Sequence, residues 1–294
     1  MSSKTILIIE DSETMREMLK ATISNFGDII EAENGKTGLE LALKHTPSLI
    51  LLDVVLPDID GFKVCKGLKK DERTKHIPVI VMTGMEGIKP EIQGLNLGAA
   101  DFVRKPFEVE IVRARVKTQL DLVTAREELV HLATIDPLTN CFNRRHFMNA
   151  ADMELSRRKR HGHGVVVAMM DVDKFKMVND TYGHDVGDLV LKEIVESCKD
   201  TVRYEDTVGR MGGEEFAILL PEAEVNGAYT VLERVRENIA ALEFQHRDHP
   251  FSVTVSIGLS EVDYSDIAID SALKRADEAL YEAKKSGRDQ VLIN

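Results

Sequence analysis

Three absences bound this chain before any motif is read. Its 294 residues hold no apolar run approaching the roughly 20 needed to cross a bilayer, so no membrane insertion is expected. Cysteine is scarce, and Cys65, Cys141 and Cys198 stand too far apart for a metal-ligand pattern; they read as small core or near-surface residues in a reducing compartment. Positive charge is short as well, with 38 Lys and Arg against 50 Asp and Glu, a formal charge of −12. That balance argues against a general nucleic-acid binder, because phosphate backbones require basic surface. A nucleotide substrate stays open, since a metal ion or a local basic cradle can reverse the sign at one site. The N-terminus runs straight into Ile6-Leu7-Ile8-Ile9 and then acids, without the shape of a signal peptide, so a cytoplasmic location is expected. No internal repeat is visible.

What is present suggests two domains. The first alternates short apolar runs, over 5–9, 29–32, 49–52, 79–82 and 101–103, with helical patterns such as 13–25 and 36–44. Continuous apolar strands alternating with helices imply a parallel sheet covered on both faces, with ligands gathered at the carboxyl ends of the strands. A helical stretch without Pro or Gly follows over 108–134, with Val109, Val116, Val123 and Val130 at every seventh position and Val112 and Leu120 beside them. A last domain helix accounts for its first turns, and a parallel coiled-coil dimer for the extension beyond about residue 121. The expected domains are therefore 1–117, the linker helix 108–134 and 135–294.

In the second domain, strands are expected over 165–170, 207–211, 216–220 and 251–258, and helices over 185–202, 225–242 and 269–285. Two strands flank Gly212-Gly213, which reads as a hairpin turn, so this domain is α+β with a largely antiparallel sheet. The turn continues into Glu214-Glu215-Phe216. Adjacent carboxylates beside bare backbone suit a metal-bound phosphate, although a solvated hairpin turn carries the same pattern. The run Arg157 to Gly164 is basic and ends in His-x-His. It reads as a solvated helix end favoured by the helix dipole, with a metal site as the alternative.

Glu10-Asp11, Asp53, Thr83 and Lys105 all fall just past or at the ends of strands in the first domain, so they converge on one sheet edge. Three carboxylates at close range call for a hard cation such as Mg²⁺, and a Lys with a hydroxyl completes a phosphoryl site. This constellation resembles the response-regulator receiver domain over about residues 4–117. The resemblance implies a flavodoxin-like fold with Asp53 as phospho-acceptor. It assigns Mg²⁺ to Glu10, Asp11, Asp53 and the Val55 carbonyl, and charge neutralisation to Lys105. Thr83 and Phe102 match its switch pair, and the phosphoryl donor would be a sensor histidine kinase. Glu10 stands where Asp is commoner, which keeps the charge.

Asp171 ends a buried strand beside the Glu214 hairpin, an arrangement in which two carboxylates can share divalent cations around a phosphoryl group. Asn179 and Asp188 flank a Gly-bounded turn into a helix. A carboxylate there suits the adjacent N1–H and N2–H₂ of guanine, and turn and capping chemistry explains the same residues. Lys284 and Arg288 follow on a helix stopped by Gly287 and could reach triphosphate oxygens.

Taken together, and with Asp136-Pro137-Leu138-Thr139 and Asn143-Arg144-Arg145 at the entrance, these segments resemble the GGDEF domain of diguanylate cyclases in its GGEEF form, a nucleotide-cyclase or palm-like fold, over about residues 136–289. Asn140 and Cys141 depart from the usual Gly-Leu. The resemblance implies that two GTP condense to cyclic di-GMP with release of two pyrophosphates. Asp171, the Val172 carbonyl and Glu214 would hold Mg²⁺, with Mn²⁺ a possible substitute, and Glu214 would help deprotonate the attacking 3′-OH. Asn179 and Asp188 would read guanine. Backbone around Lys174, Phe175 and Lys176, with Lys284 and Arg288, would hold phosphates. Arg203 and Asp206 match an inhibitory product site, joined by Arg234, and a surface salt bridge is the bland reading. Catalysis would need a homodimer, since each domain binds one GTP. The alternatives are a catalytically inactive module that binds GTP or cyclic di-GMP, and a cyclase of mixed base choice.

Overall fold

The computed structural model describes residues 4–84, 94–247 and 249–294. The chain divides into two compact units, Met1–Glu128 and Leu129–Asn294. Among the described residues, no helix is long and apolar enough to cross a membrane.

The first unit carries β1 (Thr5–Ile9), α1 (Glu13–Ile23), β2 (Asp28–Ala32), α2 (Gly35–His45), β3 (Leu49–Asp53), α3 (Gly61–Lys70), β4 (Val79–Thr83) and β5 (Asp101–Arg104). All strand pairs are parallel, in the order β2-β1-β3-β4-β5. Alternation along β1 sorts the two faces. Leu7 and Ile9 pack on α2 and α3, and Ile6 and Ile8 pack on α1 and the long helix α4 (Val109–Thr134). Each such fully buried aliphatic side chain stabilises the fold by about 1.5–3 kcal/mol. Ser12 Oγ accepts from the Met15 N–H and Asn34 Oδ1 from the Thr37 N–H, which fixes where α1 and α2 begin.

The first turns of helix α4 pack as a last domain helix should, with Val112, Val116 and Leu120 buried in the first unit's own core. The large apolar side chains left exposed farther along are Leu122, Leu129, Val130 and Leu132. Leu122, Leu129 and Leu132 fall at steps of seven and three, the spacing of a heptad stripe.

The second unit carries β6 (Phe142–Asn143), α5 (Arg144–His161), β7 (Val165–Val172), α6 (Phe175–Tyr182), α7 (His184–Thr201), β8 (Thr207–Gly212), β9 (Glu215–Pro221), α8 (Val225–Ala240), β10 (Phe244–His246), β11 (His249–Phe251), β12 (Val255–Glu261), α9 (Asp270–Lys285) and β13 (Val291–Ile293). Its main sheet runs β13-β12-β7-β9-β8-β6. The four central strands are antiparallel, and the two outermost pair parallel to their neighbours. Val166, Ala168, Met170 and Val172 of β7 face α6, α7 and α8, while Val165, Val167 and Met169 face α5 and α9.

The strand expected over 251–258 is two strands. Phe251 pairs with Phe244 in a separate ribbon and stacks on Tyr182, with ring centroids 4.2 Å apart. Residues 252–254 leave the ladder, and the Thr254 carbonyl accepts the Asp173 N–H at 2.9 Å. The basic run does end a helix, capped by left-handed Gly162, but Arg158 is not solvated. It is buried, lies 4.4 Å over the Tyr264 ring and pairs with Glu261 at 3.1 Å. All three cysteines are buried, and burial pushes the Cys198 thiol up to about 12.

Candidate functional site

The first unit places Glu10 just past β1, Asp53 at the end of β3, Thr83 at the end of β4 and Lys105 past β5, on one edge of a parallel sheet. Lys105 Nζ reaches Glu10 Oε2 at 2.6 Å and Asp53 Oδ2 at 2.9 Å. Burial raises the Glu10 pKa, the Lys105 hydrogen bond opposes it, and the nearby Asp53 charge adds to the rise. For Lys105, burial lowers the pKa, but its bonds to the two carboxylates outweigh that and raise it. Among the described residues, Glu10, Asp11 and Asp53 form the one group whose ligand atoms lie within 4.8 Å of one another. Asp53 Oδ1 is buried without a hydrogen-bond partner. An orphaned buried carboxylate oxygen in an oxygen-only cluster fits a hard divalent cation.

Neighbouring residues hold this edge in shape. Arg16 Nη1 donates to the carbonyls of Glu10 at 2.8 Å and Asp11 at 2.9 Å, which pins the acidic turn. A Cβ on Gly61 would overlap the Asp53 carbonyl oxygen, so only glycine lets α3 start this close to β3. Val55 is exposed on the loop between them. Thr83 is buried. Phe102 is half-buried on β5 with the Arg115 guanidinium 5.6 Å over its ring, and Arg115 is held by Asp101 at 2.7 Å. Sequence reasoning missed Arg16, Gly61 and Arg115, because the backbone carbonyls that Arg16 and Gly61 meet, and the ring that Arg115 covers, carry no pattern of residue types.

In the second unit, β7 pairs with β9 so that Asp171 lies opposite Glu215, and the Val172 N–H donates to the Glu214 carbonyl at 3.3 Å. Glu214 therefore stands beside the Asp171-Val172 strand end. The turn needs its glycines, with φ of 154° at Gly212 and 54° at Gly213. Arg210 grips the turn, donating to the Gly213 carbonyl through Nε at 2.9 Å and Nη2 at 2.8 Å, and reaches Asp136 Oδ1 at 3.0 Å through Nη1. Lys284 Nζ sits 2.7 Å from Asp171 Oδ2. Burial raises the Asp171 pKa, Lys284 opposes it, and the charges of Glu214 and Glu215 raise it further. A buried carboxylate beside two more is chemistry that a divalent cation or a bound cation side chain must neutralise.

Lys174 is left-handed, φ 55°, and precedes α6 with no side-chain cap, which leaves the first amides of α6 available to an anion. Phe175 is buried as the helix's anchor, and Lys176 is exposed. Asn179 is on α6 and Asp188 in the first turns of α7, joined through Gly183. A Cβ on Gly187 would overlap Asn179 Oδ1, so the Asn179 amide lies directly against the turn that carries Asp188. Arg288 follows α9 and has its Nε 4.0 Å from Asp173 Oδ1. Lys174 and Arg288 border an open groove of about 400 Å³.

Arg203 and Asp206 close a turn together, with Asp206 Oδ2 accepting the Arg203 N–H at 2.7 Å. They line a separate cavity of about 470 Å³ with Lys199, His146 and Phe142. Arg234 Nη2 donates to the Thr201 carbonyl at 2.8 Å. His163 Nε2 lies 3.8 Å from Glu154, and no third ligand gathers around the His-x-His pair among the described residues.

Comparison with known proteins follows the two units. The family profile described as "Diguanylate cyclase, GGDEF domain" matches residues 133–290, more than half of the chain. That described as "Response regulator receiver domain" matches residues 6–117. The chain is 31% identical to response regulator PleD of Caulobacter vibrioides over 98% of its own length, and spans 65% of that relative. The diguanylate cyclase SiaD of Pseudomonas aeruginosa, solved with its activator SiaC, is similar at 39% identity and a TM-score of 0.55, over 63% of this chain and 71% of that one. The coiled coil and GGDEF domain of DgcB from Caulobacter crescentus, solved with c-di-GMP, is similar at 29% identity and a TM-score of 0.56, over 62% of this chain and 99% of that one.

Proposed function

Because the chain belongs to the GGDEF family, with a receiver domain ahead of its GGDEF domain, we propose that it is a receiver-controlled diguanylate cyclase. The reaction condenses two GTP. Each 3′-oxygen bonds to the α-phosphorus of the other nucleotide, each α–β phosphoanhydride bond breaks, and two pyrophosphates leave with cyclic di-GMP. The observation that carries this reading is the hairpin that sets Glu214 beside Asp171 at the end of a buried strand, with Lys284 already on Asp171.

Asp171, the Val172 carbonyl and Glu214 would hold Mg²⁺ or Mn²⁺, which supplies charge neutralisation at the reacting phosphate and lowers the pKa of the 3′-hydroxyl. Glu214 accepts the hydroxyl proton. The free amides at the start of α6, with Lys284 and Arg288, orient the triphosphate. Asn179 and Asp188 face the guanine edge, where a carboxylate pairs with N1–H and N2–H₂ and leaves adenine without a match. One site holds one GTP, so two copies must meet. The exposed leucine stripe of α4 supports a coiled-coil homodimer as the means.

The receiver site supports control by a phosphoryl group on Asp53, accepted from a sensor histidine kinase. Glu10, Asp11, Asp53 and the Val55 carbonyl would hold Mg²⁺ there, and Lys105 neutralises the incoming charge. Thr83 and Phe102 transmit the change. The cavity beside Arg203 and Asp206 supports feedback by cyclic di-GMP. Arg234, which lies outside that lining with its guanidinium on the Thr201 carbonyl, would be a third contact. The test is GTP turnover with Mg²⁺, with and without beryllofluoride to mimic the phosphoryl group. Cyclic di-GMP formation that rises or falls with the mimic supports the reading; no product in either state rejects it in favour of an inactive nucleotide-binding module.

A further inference from the structure

Asp171 and Asp173 stand two residues apart at the end of β7, and both are buried. Their partners differ. Asp171 is met by Lys284. Asp173 is enclosed by protein donors: Ser256 Oγ donates to Oδ1 at 2.7 Å, and Thr254 Oγ1 to Oδ2 at 2.7 Å. The Asp289 N–H also donates to Oδ2, at 3.1 Å, and the Arg288 guanidinium lies 4.0 Å from Oδ1. An ionised carboxylate offers about four acceptor positions, so three protein donors and an adjacent cation leave little for a metal.

The segment that Asp173 grips is strained. Gly287, Arg288 and Asp289 have φ of 123°, 68° and 46°. Two successive non-glycine residues in the left-handed region cost about 1–2 kcal/mol each and persist only where the surroundings hold them. Several bonds do so. The Arg288 N–H and Gln290 Nε2 both donate to the Ala283 carbonyl, at 3.0 and 2.8 Å. Asp289 Oδ1 pairs with Arg236 at 2.9 Å. The Gln290 carbonyl accepts the Ile257 N–H at 3.0 Å, and the Asp289 N–H on Asp173 ties the segment to the strand end that carries Asp171.

We propose that Asp173 is a positioning residue rather than a metal ligand: it locks residues 287–289 in their left-handed turn and so aims Arg288 at the triphosphate of the bound nucleotide. The inference rests on the GTP reading of the site. Ser256 and Thr254 fix the carboxylate, the carboxylate fixes the Asp289 amide, and that amide sets the direction in which the Arg288 side chain leaves the loop.

The test uses the full chain and calorimetric binding of a GTP analogue with a methylene between the α- and β-phosphorus, in Mn²⁺. Asp173→Asn is expected to weaken binding about tenfold, the loss of an oriented charge-assisted contact, and Arg288→Ala to do the same. The double variant is expected to be no weaker than either single one. Asp173→Asn combined with Lys284→Ala is expected to lose the sum of the two effects, because those residues act separately. Bound Mn²⁺ counted by electron paramagnetic resonance is expected to be unchanged in Asp173→Asn. Additive losses in Asp173→Asn with Arg288→Ala, or the loss of bound Mn²⁺, would overturn the proposal while leaving the cyclase reading standing. A wild-type protein that binds no analogue would overturn both. Should Asp173→Asn fail to fold, Thr254→Val keeps the carboxylate and removes one of its supports. It is expected to show the same non-additivity with Arg288→Ala at smaller amplitude, and additivity there overturns the proposal equally.

Discussion

Replacing Gly187 with alanine separates base recognition from stability. Gly187 lies in α7, and a Cβ there would overlap Asn179 Oδ1 and come 3.2 Å from the Phe175 ring. Two effects oppose each other. Alanine is the better helix former by about 0.8–1 kcal/mol, which favours the folded variant. The overlap must be relieved, and the half-buried Asn179 amide at the end of its side chain is cheaper to move than the buried, ring-bearing Phe175. If Asn179 reads guanine as proposed, turning it away forfeits a hydrogen bond to the base, about 1.4 kcal/mol or roughly tenfold. The expected variant therefore unfolds within a few degrees of the wild type. Its KM for GTP rises about tenfold, and its preference for GTP over ATP falls by a similar factor. Steady-state turnover with each nucleotide, beside a thermal melt, reads all three quantities. Unchanged KM and unchanged preference in a folded Gly187→Ala protein would refute the placement of Asn179 against the base.

Three further outcomes follow from the geometry. In Asp136, burial works upward, but bonds from Thr139 and Arg210 outweigh it and hold the carboxyl below its usual pKa. Such a group stabilises the fold above its ordinary pKa of about 4 and loses that contribution as pH falls through the lowered value. Asp136→Asn is thus expected to cost about 1–3 kcal/mol in urea melts at pH 7 and progressively less below pH 4; a cost that does not depend on pH would contradict this. Charging the α4 stripe with Leu129→Glu and Leu132→Glu is expected to leave the melting temperature nearly unchanged, since both side chains are exposed, while light scattering reports monomers and cyclase activity disappears. A dimeric, active double variant would remove the coiled coil from the account. Mg²⁺ at a hundred times its Kd is expected to stabilise the first unit by about 2.7 kcal/mol, and Asp11→Asn to abolish that shift. An equal shift in the variant would place the ion elsewhere.

Much of this architecture is visible in the chain because its signals are local. The five strands of the first unit are short, mostly apolar runs, and each structural strand lies within a residue of its expected bounds. The convergence of Glu10, Asp53 and Lys105 follows from parallel topology alone, since every one of them ends or follows a strand. The hairpin at Gly212-Gly213 was legible because glycines at positive φ between two apolar runs have few other uses. What stayed hidden depends on distant partners. Helix α6 begins at a left-handed lysine without a capping side chain, so nothing near Lys174 announces it. The break between β11 and β12 is set by Phe251 stacking on Tyr182 and by Asp173 holding Thr254, contacts that span many residues. The two parts of α4 were legible to different degrees. Val112, Val116 and Leu120 of its first turns are core, as a last domain helix requires. Periodicity shows which residues share a face and not what covers it, so the exposed set Leu122, Leu129, Val130 and Leu132 had to come from the structure.

Asp171 and Glu214 also show why such a site resists neutral packing. Burial alone pushes the Asp171 carboxyl toward its protonated form, and two glutamates at the hairpin add to that push. A fold selected only for stability would place an apolar or amide side chain there. Retaining three carboxylates beside Lys284 makes sense where the charge is used to gather cations and phosphate.

The most direct measurement is the stoichiometry of the reaction. The purified 294-residue chain with GTP and Mg²⁺ should release two pyrophosphates for each cyclic di-GMP identified by mass, and Glu214→Gln should abolish both while the folded protein still binds nucleotide. GTP left unconsumed by the wild type with and without beryllofluoride, or product formation that survives Glu214→Gln undiminished, would contradict the account at its centre.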